Sequence, residues 1–199
     1  MSQTWWYLSR ASGIVAWALL TLAMVWGLLL STRMFDRRPS PKGLVDLHRF
    51  LGGIAVVFVG LHVGAIVADS YVHFGTADVL VPFATGWHPL AVAWGVVAMW
   101  ILVAVEVTSL AMRHIPRRVW HAVHLSSYAL FVSATVHAFA AGPDTRGQLF
   151  QLVSVAAIAI LAFLTVVHGF GGRGRYGGRS EPAVAHRRDR DRDVTTTGV

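Results

Sequence analysis

Apolar residues run through this chain in long blocks, and a water-soluble domain of this length would not leave uncharged runs of eighteen or more. Five blocks, roughly 11–31, 44–68, 89–112, 119–141 and 148–169, can each cross a ~30 Å hydrocarbon core as helix rising ~1.5 Å per residue. Between the second and third, 69–88 holds only the short apolar piece Val79-Leu80-Val81-Pro82-Phe83. That piece is too short to span and predicts an interfacial or re-entrant segment. The expected fold is an all-α integral membrane bundle of about five transmembrane helices, occupying residues 1–170.

Polar residues divide by side. The segment after the first block, with the start of the second, holds Arg33, Arg37, Arg38, Lys42 and Arg49, and that after the third holds Arg113, Arg117 and Arg118. Segment 69–88 has neither Lys nor Arg, and the loop after the fourth block has only Arg146. The positive-inside rule then predicts an outer N-terminus and a cytoplasmic C-terminus, in a multi-pass protein of a cell (plasma) membrane of bacterial type. In the first block the cations follow the apolar run, and no small-residue cleavage pattern is present, so an uncleaved span is expected rather than a signal peptide. Trp5, Trp6 and Tyr7 fall where an outer aromatic belt would lie. Residues 171–199 pass from a Gly/Arg-rich stretch into Arg-Asp alternation and predict a disordered cytoplasmic Arg-rich tail.

The 199 residues are 55% hydrophobic and 14% charged, and seven of the 17 Lys+Arg lie in the last thirty. The net charge of +7 therefore describes membrane flanks, not a nucleic-acid surface. Cysteine is absent, which excludes disulfides, thiolate-held iron–sulfur clusters and covalent haem attachment.

Two histidine pairs stand inside the apolar blocks, His48 and His62 fourteen residues apart and His124 and His137 thirteen apart. These intervals correspond to ~21 Å and ~20 Å of helix, which puts one imidazole near either face of the membrane on each helix. Imidazole in lipid is costly unless paired or ligating. One helix intervenes between spans 2 and 4, so the two run parallel, with His48 and His124 at the inner level and His62 and His137 at the outer. Two imidazoles per level on different helices suit bis-histidine ligation of haem b, two non-covalent groups in series, with these four histidines as iron ligands. That would be an electron path.

At ~100° per residue, fourteen residues come close to whole turns, so His48 and His62 share a face, whereas thirteen fall ~140° short. Span 4 is therefore expected to bend or change pitch, through back-bonding by Ser126, Ser127, Ser133 or Thr135. Gly52, Gly53, Gly60 and Gly64 surround the span 2 histidines and leave room for a macrocycle or for another helix. Phe50, Phe58, Tyr128 and Phe131 either line and bridge two haem pockets or simply fill the core.

The fourteen- and thirteen-residue intervals, with Trp120-His121-Ala122-Val123-His124-Leu125-Ser126-Ser127-Tyr128 carrying a Trp-x-x-x-His-x-x-x-Tyr pattern, resemble the ferric reductase-like transmembrane domain family. That family includes NADPH oxidases, ferric reductases and a small bacterial haem subunit of the methionine sulfoxide reductase system. The resemblance covers roughly 10–170 and implies that His124, rather than His121, carries the iron. Two departures stand out. Many members have six spans where five are counted here, and no Gly-rich dinucleotide fingerprint follows a strand. Flavin is therefore expected only on a partner, and electrons from a separate donor, a flavoprotein reductase or a quinol.

Arg49, Arg33, Arg113, Arg117 and Arg118 lie at the inner level, where they could meet haem propionates or simply satisfy the positive-inside rule. Arg10, a lone cation at the outer end of span 1, is a candidate for an outer propionate. Glu106 is the one carboxylate in the interior of a span, Asp46 standing at the start of the second, and is expected to pair with Arg113 or Arg117. His121 could touch a propionate or a donor, and His168 is expected at the cytoplasmic interface. Asp69, His73, Asp78 and His88 match no closed metal motif and read as an acceptor-facing surface.

The functional expectation is a b-type dihaem electron-transfer protein, the membrane component of an oxidoreductase, lying in a lipid bilayer. It would pass electrons to an extracytoplasmic acceptor: ferric iron, oxygen or a partner reductase. The alternative is a histidine-lined proton or metal transporter, for which Glu106 is the only carboxylate available along a path.

Overall fold

The computed structural model describes residues 2–31, 41–69 and 73–173. The expected tail lies outside these residues, apart from 171–173, which end the last helix; Arg33, Arg37 and Arg38 also lie outside them. The described residues form α1 (Ser2–Ser31), α2 (Pro41–Ala68), α3 (Thr76–Leu80), α4 (Pro89–Leu110), α5 (Arg117–Leu125), α6 (Ser127–Ala141) and α7 (Gln148–Arg173), with a 3-10 turn at Pro143–Arg146. No strand occurs among them. Five stretches are long and apolar enough to cross a membrane: Gln3–Ser31, Lys42–Ala68, Pro89–Leu110, Arg117–Ala141 and Gln148–Gly169. The first begins eight residues earlier than the hydropathy blocks indicate, because helix continues through Trp5, Trp6 and Tyr7.

Span 4 is broken, as its thirteen-residue interval required. Ser126 separates α5 from α6; its N–H bonds Val123 O at 3.0 Å and its Oγ donates to the same carbonyl at 2.6 Å. A three-residue bond winds more tightly than an α-helix. It therefore turns the second half of the span, and His124 and His137 come to one side. Of the other hydroxyls proposed for this role, Thr135 instead accepts the Trp17 indole N–H at 3.0 Å.

α1 packs along α2 and α4 along α6, while α7 closes on α1. Trp17, Leu28, Phe131, Leu161 and Leu164 form one core where α1, α6 and α7 meet. The outer face of α7 leaves Leu149, Leu152 and Phe163 at least 65% exposed, which suits lipid contact better than water. Segment 73–88 does not span. It folds back on α4, where the Trp100 indole donates to Leu80 O at 2.9 Å, and it carries positive φ at His73, Phe83 and His88. His88 then caps α4, whose first position is Pro89.

Candidate functional site

The fold brings the four histidines together in two pairs. The rings of His48 and His124 have centroids 5.9 Å apart at 71°, and those of His62 and His137 are 6.1 Å apart at 80°. The parallel helices that carry them, α2 and α5–α6, are not themselves in close contact. His62 Nδ1 lies 2.7 Å from Ser9 O, and His137 Nδ1 lies 2.8 Å from Ala91 O. A carbonyl only accepts, so in both rings Nδ1 carries the hydrogen and Nε2 keeps its lone pair.

The imidazoles nest against glycines on the neighbouring helices. A Cβ at Gly13 would come 2.9 Å from His62 Nδ1, one at Gly27 3.1 Å from His48 Cε1, and one at Gly95 2.7 Å from the His137 ring. The α2 glycines, expected to leave room for a macrocycle or another helix, do not lie against the rings. Gly53, Gly60 and Gly64 have nothing within 4 Å of an added Cβ, and Gly52 abuts the Glu106 carboxylate. The missed signal was an interval: Gly13 and Gly27 repeat, on α1, the fourteen residues between His48 and His62.

Between the two levels lies an aliphatic layer. Leu20 is midway between Gly13 and Gly27, Ala55 is midway between His48 and His62, and Leu130 falls between His124 and His137. With Ala98 and Leu102 of α4 they form one buried cluster, in which Ala55 has no exposed surface. Of the aromatic residues that could either bridge the levels or fill the core, three lie away from this layer. Phe50 is 62% exposed, Phe131 packs with Trp17 on the α7 side, and the Tyr128 hydroxyl meets Thr165. Enlarging a fully enclosed alanine overpacks a core, so Ala55→Leu is expected to cost about 1–3 kcal/mol. A lowered thermal midpoint in detergent would register it, with Gly60→Ala unchanged as control.

A cavity of about 240 Å³ opens at the level of His62 and His137. Gly13, Trp17 and Gly95 line it, and Trp6, Arg10, Asp69, Trp87 and Asp144 also line it, nearer the chain's N-terminal end. Trp6 is thus part of this wall rather than only a belt residue. Arg10 makes a two-pronged pair with Asp144, Nε donating to Oδ2 at 2.8 Å and Nη2 to Oδ1, and its guanidinium lies 5.6 Å from the Trp6 ring centre. The hydrogen bond from Arg10 holds the Asp144 carboxyl below the usual carboxylate range. A depressed folded pKa stabilises above the unfolded value of ~3.9 and loses that contribution as pH falls through the folded value. Both side chains are about a third exposed (29% and 33%), so the pair is worth under about 1 kcal/mol. Asp144→Asn is accordingly expected to lower the thermal midpoint slightly at pH 7, by no more than that contribution, and to converge with the parent below about pH 4, so that the acid limb of its profile is flatter by the same small amount.

Asp69 is 8% exposed, and its Oδ1 has no hydrogen-bond partner among the described residues. At the other level, Arg49, Arg113, Arg117 and Arg118 are exposed, Arg49 lying 3.8 Å from Met112 Sδ. Glu106 corrects the sequence expectation: it pairs with neither Arg113 nor Arg117, since α4 ends before Arg113 and the carboxylate instead turns inward to Gly52. Arg10–Asp144 is the one ion pair among the described residues. His121 is exposed, whereas Trp120 stacks on His124 with centroids 5.0 Å apart at 21°. His168 meets the Ser31 hydroxyl at 3.1 Å. His73 and His88 are exposed, Asp78 accepts the Gly75 N–H at 2.8 Å, and no group of three His, Cys, Asp or Glu among the described residues is placed to hold a metal ion.

Residues 10–135 match the family described as "Ferric reductase like transmembrane component". No curated protein and no solved structure matches the chain. The match takes in more than half of the sequence, including His48, His62 and His124, and stops just short of His137. Five apolar helices and a match of this extent make the chain a multi-pass membrane protein of the ferric reductase-like transmembrane family, whose role is electron transfer in a membrane.

Proposed function

We propose that the chain is a b-type dihaem electron-transfer protein, carrying electrons from a cytoplasmic flavoprotein or quinol donor to an extracytoplasmic acceptor such as ferric iron, oxygen or a partner reductase. One observation carries this reading: two opposed imidazole pairs, with rings 5.9 and 6.1 Å apart, on parallel helices held away from each other. With metal–nitrogen bonds of ~2 Å on either side and each ring centre about an ångström behind its nitrogen, two imidazoles across one iron stand about 6 Å apart. Each pair offers only two opposite ligands, too few for a free ion but the number a macrocycle leaves open. When bound, haem b supplies a one-electron Fe(III)/Fe(II) change at each level.

The protein's own residues supply the rest. The carbonyls of Ser9 and Ala91 fix the rings of His62 and His137 through Nδ1 and leave Nε2 of each as the nitrogen that can ligate. The layer of Leu20, Ala55, Leu102 and Leu130 keeps water from the space between levels. That layer also weighs against proton or metal transport, which needs a wet path. Arg10 is the cation beside the outer cavity and suits a propionate, with Asp144 holding it in place and sharing its donors. A propionate would turn to Arg10 and away from Asp69, whose unpartnered oxygen lines the same cavity. On the inner side, Arg49 and Arg113 are the corresponding cations near the bundle end.

The direct test is a dithionite-reduced minus oxidised spectrum of the purified full chain, with haem quantified per polypeptide. About two b-type haems per chain is the expected result, and a colourless protein after expression with ample haem would overturn the proposal.

A further inference from the structure

Three of the four imidazoles use one device. Gly13 lies against His62, Gly27 against His48 and Gly95 against His137. Four residues before each glycine is a carbonyl toward which the ring is turned. Those of Ser9 and Ala91 accept formed hydrogen bonds, and His48 faces that of Ala23 but stops short of bonding geometry. The missing Cβ is what lets a side chain reach a carbonyl already serving its own helix.

Register extends the series to a fourth place. Fourteen residues along α1, from Gly13 to Gly27, match the fourteen on α2 from His62 back to His48. The same step on α4 leads from Gly95, past the buried Leu102 at its midpoint, to Ser109, while α6 and α5 lead from His137 back to His124. Position 109 thus carries a hydroxymethyl where the series would have a glycine. The carbonyl four residues earlier, of Val105, accepts from Thr108 Oγ1 at 3.2 Å much as that of Ser9 accepts from Ser12 Oγ at 3.1 Å, so what sets position 109 apart is its side chain and not an occupied carbonyl. Ser109 Oγ and His124 Nδ1 are both buried, and neither has a hydrogen-bond partner among the described residues.

We infer that Ser109 is a positioning residue for His124, its hydroxyl oxygen accepting the Nδ1–H of that imidazole where the other three rings face a backbone carbonyl. The inference rests on the dihaem reading above. Hydrogen bonding at Nδ1 raises the basicity of a ligating imidazole, and a more basic ligand favours ferric iron. A hydroxyl draws less on Nδ1–H than an amide carbonyl does. The inner site is therefore set at a higher potential than the outer, where both ligands bond to carbonyls.

The test uses the whole protein and the variants Ser109→Ala, Ser109→Gly and Ser109→Thr, first by haem count and then by spectroelectrochemical titration. Ser109→Ala removes the acceptor and should raise one of the two redox waves. Ser109→Gly opens the Val105 carbonyl and should lower the same wave, while Ser109→Thr stays near the parent. The expected change is about tenfold in electron sharing between the sites, or ~59 mV for a one-electron couple. Simple loosening of the site would move alanine and glycine variants the same way. That result, or two retained haems with no wave displaced, overturns the role of Ser109 and leaves the dihaem reading standing. Alanine and glycine variants that both shed one haem, while threonine keeps two, would also identify the hydroxyl as what holds His124. A parent chain that binds no haem overturns both readings, and the haem count distinguishes that case.

Discussion

His62→Ala is expected to lower haem content from about two per chain to about one and to abolish one redox wave while the other stays in place. His124→Ala should remove the opposite wave, and the double variant should be colourless. The physical ground is that each level has two imidazoles and no third donor: rings 6.1 Å apart at one and 5.9 Å apart at the other, on the same pair of spans. A haem held by one such pair would, after loss of one imidazole, keep a single protein ligand. Loss of both waves from either single variant would mean that the two levels are not independent sites. Pyridine haemochromogen quantification with a redox titration reads out both quantities.

Gly95→Val should produce nearly the same loss without touching a ligand. Its Cβ would stand 2.7 Å from His137 Nδ1 and Cε1, closer than real Cβ atoms approach anything, and the obstacle on the other side is a ring rather than a flexible chain end. The imidazole must leave its seat, which also breaks its bond to Ala91 O at 2.8 Å. Disturbing such a supporting bond typically lowers metal affinity ~10–100-fold, so haem at this level should be lost on washing while the His48/His124 level keeps its own. Gly95→Ala brings the same Cβ and should show a milder form of the defect. Gly60→Ala, where an added Cβ meets nothing within 4 Å, should be silent. A Gly95→Val protein with two haems and unaltered waves would show that the cradle is not tight.

Histidine spacing was legible because imidazole in an apolar helix needs a reason to be there, and because helix geometry turns intervals of fourteen and thirteen into depths. The same arithmetic called for a bend in span 4, since thirteen residues of ideal helix cannot present both rings to one side, and left its place among four hydroxyl residues for the fold to decide at Ser126. The glycine cradle was not legible in the same way. A lone glycine in an apolar run resembles any packing position, so nothing along the chain marks Gly13, Gly27 and Gly95 as the ones that lie against the rings. The aromatic residues left two readings open for a related reason. Ring size says nothing about direction, and Phe131 turns to Trp17 and away from the space between the levels.

By itself, the sequence determined the number of spans, the two depths at which imidazoles lie and the need for a broken fourth span, because all three follow from residue counts along a helix. Tertiary structure decided which helix faces which. Only the antiparallel seating of α1 on α2 and of α4 on α6 puts a glycine behind each of three rings and Leu20, Ala55, Leu102 and Leu130 in one layer. Only the fold brings Arg10 to Asp144 across 134 residues, and turns Glu106 from the arginines beyond its helix to the bare backbone of Gly52. Spacing along one helix sets height and angle, but a contact between helices depends on their relative rotation and register, and those come from packing.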